Sequence, residues 1–162
     1  MTGYFEDHQI GDELALGSYT FTREAIIRFA EKYDPQPYHL SDEAAAQTHF
    51  GRLCASGWHT ASVFMRLLVL KNQELDAEVQ AAGKAVAMTG PSPGFEDLKW
   101  LKPVFVGDTI SYTRRIAGKT ESKSRPRWGL LHGSNHGVNQ NGETVFSLRS
   151  NVFKERRPTT GS

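Results

Sequence analysis

The hydrophobic period of this chain changes along its length, and that change limits the folds open to it. Residues 23–33 and 58–75 carry apolar side chains at helical spacing, whereas beyond the turn-rich run Gly90-Pro91-Ser92-Pro93-Gly94 they alternate with a period of two. In the 58–75 stretch Ala61, Val63, Phe64, Met65, Leu67, Leu68 and Val69 lie on nearly every face, which predicts a helix buried all round. Strands are expected at 97–101, 109–118, 128–139 and 143–154. Asn141-Gly142 is the preferred dipeptide of a two-residue hairpin between the last two, because both positions of that turn need positive φ. A fully apolar helix followed by long strands implies an α+β domain in which a curled antiparallel sheet wraps one long central helix.

The first third supplies the flanking elements. A strand is expected at 14–21, after the turn signal Gly11-Asp12, and Thr22 is placed to cap a helix. In that helix Ile26, Phe29, Ala30 and Tyr33 stand at i, i+3, i+4 and i+7, and Pro35 stops it by biasing Asp34 away from helical angles. Ser41 caps a second short helix, with Asp42 and Glu43 in its first turn and its end before Gly51. The alanine-rich stretch 75–90 reads as either more helix or a flap. One domain over 1–155 with a flexible tail at 156–162 is the expected organisation.

Composition removes several classes of function. Among 162 residues, 19 Lys and Arg balance 18 Asp and Glu for a net charge of +1, which is no footprint for nucleic acid. The single cysteine, Cys54, has no intramolecular disulfide partner, and no apolar run reaches the roughly 18 residues of a membrane span. The expectation is a cytoplasmic protein that contacts neither nucleic acid nor membrane.

Chemistry concentrates in two short stretches. In Asp34-Pro35-Gln36-Pro37-Tyr38-His39 a carboxylate and an imidazole stand five residues apart on a segment stiffened by two prolines. Converging on one water, they would form an acid–base pair; left apart, Asp34 caps a turn and His39 bonds locally. In the second stretch, Gly51 to His59, small residues lead into the apolar helix, so the Gly57 amide sits near a helix N-terminus, where an anion is stabilised. Gly57 suits an oxyanion donor, or a glycine that permits close packing. His59 either faces the same space or is satisfied by a backbone carbonyl. Cys54 carries no mark of a low-pKa nucleophile. His8, His49, His132 and His136 form no metal-ligand grouping, and Arg66 is the one charge inside the apolar helix. Lys119, Lys123, Arg125 and Arg127 gather in a loop between strands, either as a solvated run or as a contact for the phosphates of a ligand.

Taken in order, several segments resemble the MaoC-like dehydratases, a hot-dog group that includes (R)-specific enoyl-CoA hydratases. They are residues 5–12, the capped helix into Asp34-Pro35-Gln36-Pro37-Tyr38-His39, Ala55-Ser56-Gly57-Trp58-His59, and residues 98–108. The resemblance implies a hot-dog fold and reversible hydration of a trans-2-enoyl thioester to an (R)-3-hydroxyacyl thioester, with no metal or redox cofactor. It assigns Asp34 and His39 to the water, Gly57 to the oxyanion, and Ser62 to orienting the aspartate. It also implies a homodimer with the site near the subunit interface. Two positions depart from the pattern: Gln36 stands in place of Asn, and Ser56 where His often precedes the glycine. The rival readings are a hot-dog acyl-CoA thioesterase and a non-catalytic acyl-thioester binding protein.

Overall fold

The computed structural model describes residues 2–158. In chain order the elements are β1 (Glu13–Thr20), α1 (Arg23–Tyr33), α2 (Asp42–Ala46), α3 (Gly57–Ala81), β2 (Gly94–Trp100), β3 (Thr109–Glu121), β4 (Trp128–Val138) and β5 (Thr144–Glu155), with single 3-10 turns at Phe5–Asp7 and Pro37–His39. The five strands form one antiparallel sheet in the order β1-β3-β4-β5-β2. Its inner face wraps α3: Val63 and Phe64 of the helix enter a core with Leu16 of β1, Ile110 and Tyr112 of β3, and Phe146 of β5. This is the hot-dog arrangement expected from the sequence.

The caps stand where the side chains predict. Thr22 accepts a hydrogen bond from the Ala25 amide at 3.2 Å, and Ser41 accepts from Ala44 at 3.1 Å. α1 stops at Tyr33, and Asp34 leaves the helix at φ −155°, ψ 70° while its amide still donates to Ala30.

The structure settles one reading left open by the sequence and differs from it in three others. First, α3 runs on to Ala81, and the segment after it is strapped to β5: Lys154 Nζ donates to Ala87 O (2.7 Å) and Thr89 Oγ1 (3.0 Å), and Gly90 N donates to Phe153 O (2.8 Å). Second, α3 is not buried all round, because Met65, Arg66, Val69 and Leu70 are exposed on its outer face. Third, the β4–β5 hairpin closes through a three-residue loop, not a two-residue one. Gly142 N donates to Asn139 O, Asn139 N to Glu143 O, and only Gly142 has positive φ (77°). The Asn139 side chain explains the wider loop, since its Oδ1 accepts from both Asn141 N and Glu143 N at 3.0 Å. Fourth, the start of the expected tail is tied down. Arg156 pairs with Glu6 and Glu121 and Arg157 with Asp7, while 159–162 lie outside the described residues. No helix among the described residues is long and apolar enough to cross a membrane.

Candidate active site

Asp34 reaches the site because α1 ends one residue before it. The next residues, held by Pro35 and Pro37, make the single turn Pro37–His39 that swings His39 inward until it is 6% exposed. His39 Nδ1 lies 2.7 Å from the carbonyl oxygen of Cys54. A carbonyl only accepts, so Nδ1 carries the hydrogen, and in the neutral ring Nε2 is the bare acceptor. Nε2 stands 3.6 Å from Oδ2 of Asp34, beyond a direct hydrogen bond. Two acceptors at this spacing call for a molecule with two donors, and water is the smallest.

Cys54 is fixed in turn by its bridge to Phe105, and the Ala55 amide donates to Val104 at 2.7 Å, which carries this segment into α3. Burial pushes the Cys54 thiol up to about 11, so it stays protonated beside the imidazole it helps to seat.

The hydroxyl that meets Asp34 belongs to Ser56, not Ser62. Ser56 is the N-cap of α3; its Oγ accepts from Trp58 N at 3.2 Å and donates to Asp34 Oδ2 at 2.6 Å. Ser62 bonds back to the carbonyl of Trp58 at 2.7 Å on the exposed side of the helix, the usual resort of a serine inside a helix. The signal for Ser56 was present in the sequence as a cap residue directly before the helix, masked by its reading as a departure.

Gly57 opens α3, so its amide is one that the helix cannot satisfy internally, and it carries the positive end of the helix dipole. Gly57 also packs closely against Trp100. Asp34, His39, Gly57, Tyr38, Trp58 and Trp100 line one cavity of about 640 Å³. Lys102 lines it too, paired with Glu143, and the Arg52 guanidinium lies 3.9 Å over the ring of Phe105, a further lining residue.

The basic run does not reach this cavity. Lys119 donates to His8 O at 2.6 Å, Arg127 pairs with Glu155 at 2.7 Å, Arg125 lies over Phe153, and Lys123 is exposed. The physical reason is strand length: β3 has 13 residues, so its hairpin end is roughly 40 Å from the end that joins the cavity segment. His59 also points elsewhere. It stacks on Phe29 (4.6 Å, 4°) and meets Phe21 edge-on at 4.9 Å, and burial pushes its pKa down to about 4. Of the outer-face histidines, His132 is held between Thr120 and Asn151.

The geometry therefore joins an acid–base pair to a helix N-terminus, an arrangement able to activate water beside a polarised carbonyl. Comparisons with known proteins agree in kind. Residues 7–127 match the family model described as MaoC like domain. The crystal structure of a MaoC-like dehydratase from Rhodospirillum rubrum superposes with a TM-score of 0.79 at 33% identity, covering 97% of this chain and 99% of that one. Mesaconyl-CoA hydratase of Cereibacter sphaeroides is 26% identical over 161 residues, 96% of this chain and 42% of that protein. Protein MaoC of Klebsiella aerogenes is 32% identical over 123 residues, 75% of this chain and 33% of that protein. The chain spans less than half the length of these two curated relatives. With the family model matched over most of the chain and its segments seated around α3, the chain belongs to the MaoC-like domain family.

Proposed function

We propose that this protein adds water reversibly across the C2=C3 bond of a trans-2-enoyl thioester, giving a 3-hydroxyacyl thioester whose (R) hand is carried over from the family resemblance. The observation that carries the reading is the 3.6 Å approach of His39 Nε2 to Asp34 at the mouth of α3. A water bound there donates one hydrogen to each acceptor. As its oxygen attacks C3, one O–H bond breaks to the pair, and the new C2–H bond takes a proton back from it. The enolate charge that builds on the thioester oxygen is met by the Gly57 amide and the helix dipole. Positioned acid–base catalysis is worth about 10²- to 10⁴-fold and one oxyanion donor about 10²- to 10³-fold. The addition balances with water alone and calls for no redox cofactor or metal.

In this reading coenzyme A is the handle, and Lys102 with Arg52 supplies cations near the cavity in place of Lys119, Lys123, Arg125 and Arg127. The protein acts as a homodimer. Trp58, Met65, Val69 and Leu70 leave an apolar stripe on α3 exposed, and Phe95 within the edge strand β2 and Leu101 just after it are exposed as well. A lone buried thiol suits a reducing cytoplasm.

The test is loss of enoyl absorbance from crotonyl-CoA, with a thiol reagent in a parallel well and Asp34→Asn beside the wild type. Absorbance loss without thiol release, abolished in the variant, supports hydration. Thiol release moves the protein to the thioesterases, and full activity in Asp34→Asn removes the mechanism.

A further inference from the structure

Gly57 has no room for a side chain. A Cβ there would overlap the Trp100 indole at Cδ2 and Cε2 and stand 2.7 Å from Nε1, so the ring lies flat against the glycine. Trp100 is held in that pose from two sides. As the last residue of β2 it pairs with Phe146 on β5, and its ring meets that of Trp58 edge-on at 5.1 Å and 76°. Both indoles line the cavity that holds Asp34 and His39.

Resting on the hydratase reading above, we infer that Trp100 is a specificity-determining residue that restricts the site to enoyl thioesters bearing only hydrogen at C2. With its oxygen on the Gly57 amide, the thioester carbonyl carbon stands about 4 Å from the amide nitrogen. That carbon has two further neighbours. The sulfur carries the invariant handle, so only C2 differs among substrates close to the amide. C2 is conjugated with the carbonyl, and a substituent on it lies in the same plane, two bonds from the carbonyl carbon. A methyl group there competes with the indole for space that cannot admit even a methyl on Gly57.

The experiment compares kcat/KM for crotonyl-CoA and 2-methylcrotonyl-CoA in the wild type, Trp100→Leu and Trp100→Phe. The wild type favours crotonyl-CoA by about 10- to 200-fold, the range one methyl group commands in a shaped pocket. In Trp100→Leu that preference falls at least about tenfold, mainly through improved use of the methylated substrate, and Trp100→Phe lies between. If Trp100→Leu fails to fold by circular dichroism, the smaller ring of Trp100→Phe still reads the wall, with a preference lowered by about threefold or more. An unchanged preference in the folded variants, or a wild type that turns over both thioesters equally, overturns the inference and leaves the hydratase reading standing. A wild type inactive on both removes the reading itself, and the inference with it.

Discussion

Ser56 Oγ lies 2.6 Å from Asp34 Oδ2, so the first turn of α3 and the last turn of α1 are joined at the carboxylate. Because the same hydroxyl accepts from Trp58 N, the carboxylate is tied to the helix that also presents the Gly57 amide. Substituting Ser56→Ala removes both bonds. The expected result is a fall in kcat of about 10- to 100-fold with KM for crotonyl-CoA changed by less than about threefold, since the loss falls on orientation of the catalytic group. The lost cap costs about 1 kcal/mol of stability, read by urea unfolding. Ser56→Thr keeps the hydroxyl and recovers most of the rate; an alanine variant as fast as the wild type would show the contact to be structural only.

The convergence of Asp34 and His39 was legible because two prolines and one helix stop fix it within six residues. Which serine meets Asp34 was not, since that depends on how α1 crosses α3, a relation no local pattern encodes. The basic run shows the same gap: its charge is plain in the sequence, but its distance from the cavity appears only once β3 is known to carry it to the far end of the sheet. Likewise the contact of Gly57 with Trp100 joins residues 43 positions apart in the chain. α3 failed for a different reason. Counting apolar positions cannot separate a helix buried by its own chain from one with an apolar stripe left for a partner.

Gly57→Ala is expected to be inactive or nearly so, and less stable. The new methyl forces the Trp100 ring off the helix start, an overpacking that typically costs about 1–3 kcal/mol, and it moves the amide that the proposed mechanism gives to the thioester oxygen. The near-ultraviolet circular dichroism of the Trp58–Trp100 pair reports the displacement directly. A variant with unchanged aromatic signal and full turnover would remove Gly57 from the oxyanion role.

His59 should make the protein acid-sensitive in a defined window. Burial among Phe29, Phe21 and Tyr19 holds its folded pKa near 4, whereas an exposed imidazole titrates near 6.5. Above pH 6.5 both states are neutral and the full stability is present. Between 6.5 and 4 only the unfolded chain takes up the proton, so stability falls as the pH drops and levels off below 4. From pH 7 to 5 this single group accounts for about 2 kcal/mol. His59→Phe, which keeps a ring on Phe29 but cannot titrate, shrinks the pH 7 to 5 loss by that amount in urea unfolding. The loss does not vanish, because His8 is also pushed down to about 4 by burial and contributes with the same sign. An unchanged slope in His59→Phe would mean that the imidazole is solvated in the native state.

The outer stripe of α3 gives the last prediction. Met65 is 52% exposed and Val69 44%, one turn apart on the same face, with Trp58 two turns earlier. Neither side chain supports the core of its own chain, so Met65→Glu and Val69→Glu leave the circular dichroism of the monomer unchanged. In a homodimer both residues are covered, and a carboxylate placed there is buried without a partner. Light scattering should give twice the chain mass for the wild type and a single chain mass for the double variant at the same concentration. Arg66 beside them is exposed and suits the polar rim of such an interface, so Arg66→Ala weakens association far less than either glutamate. A wild type of single-chain mass at micromolar concentration would refute the dimer, and the stripe would then remain open to solvent along the outer face of the helix.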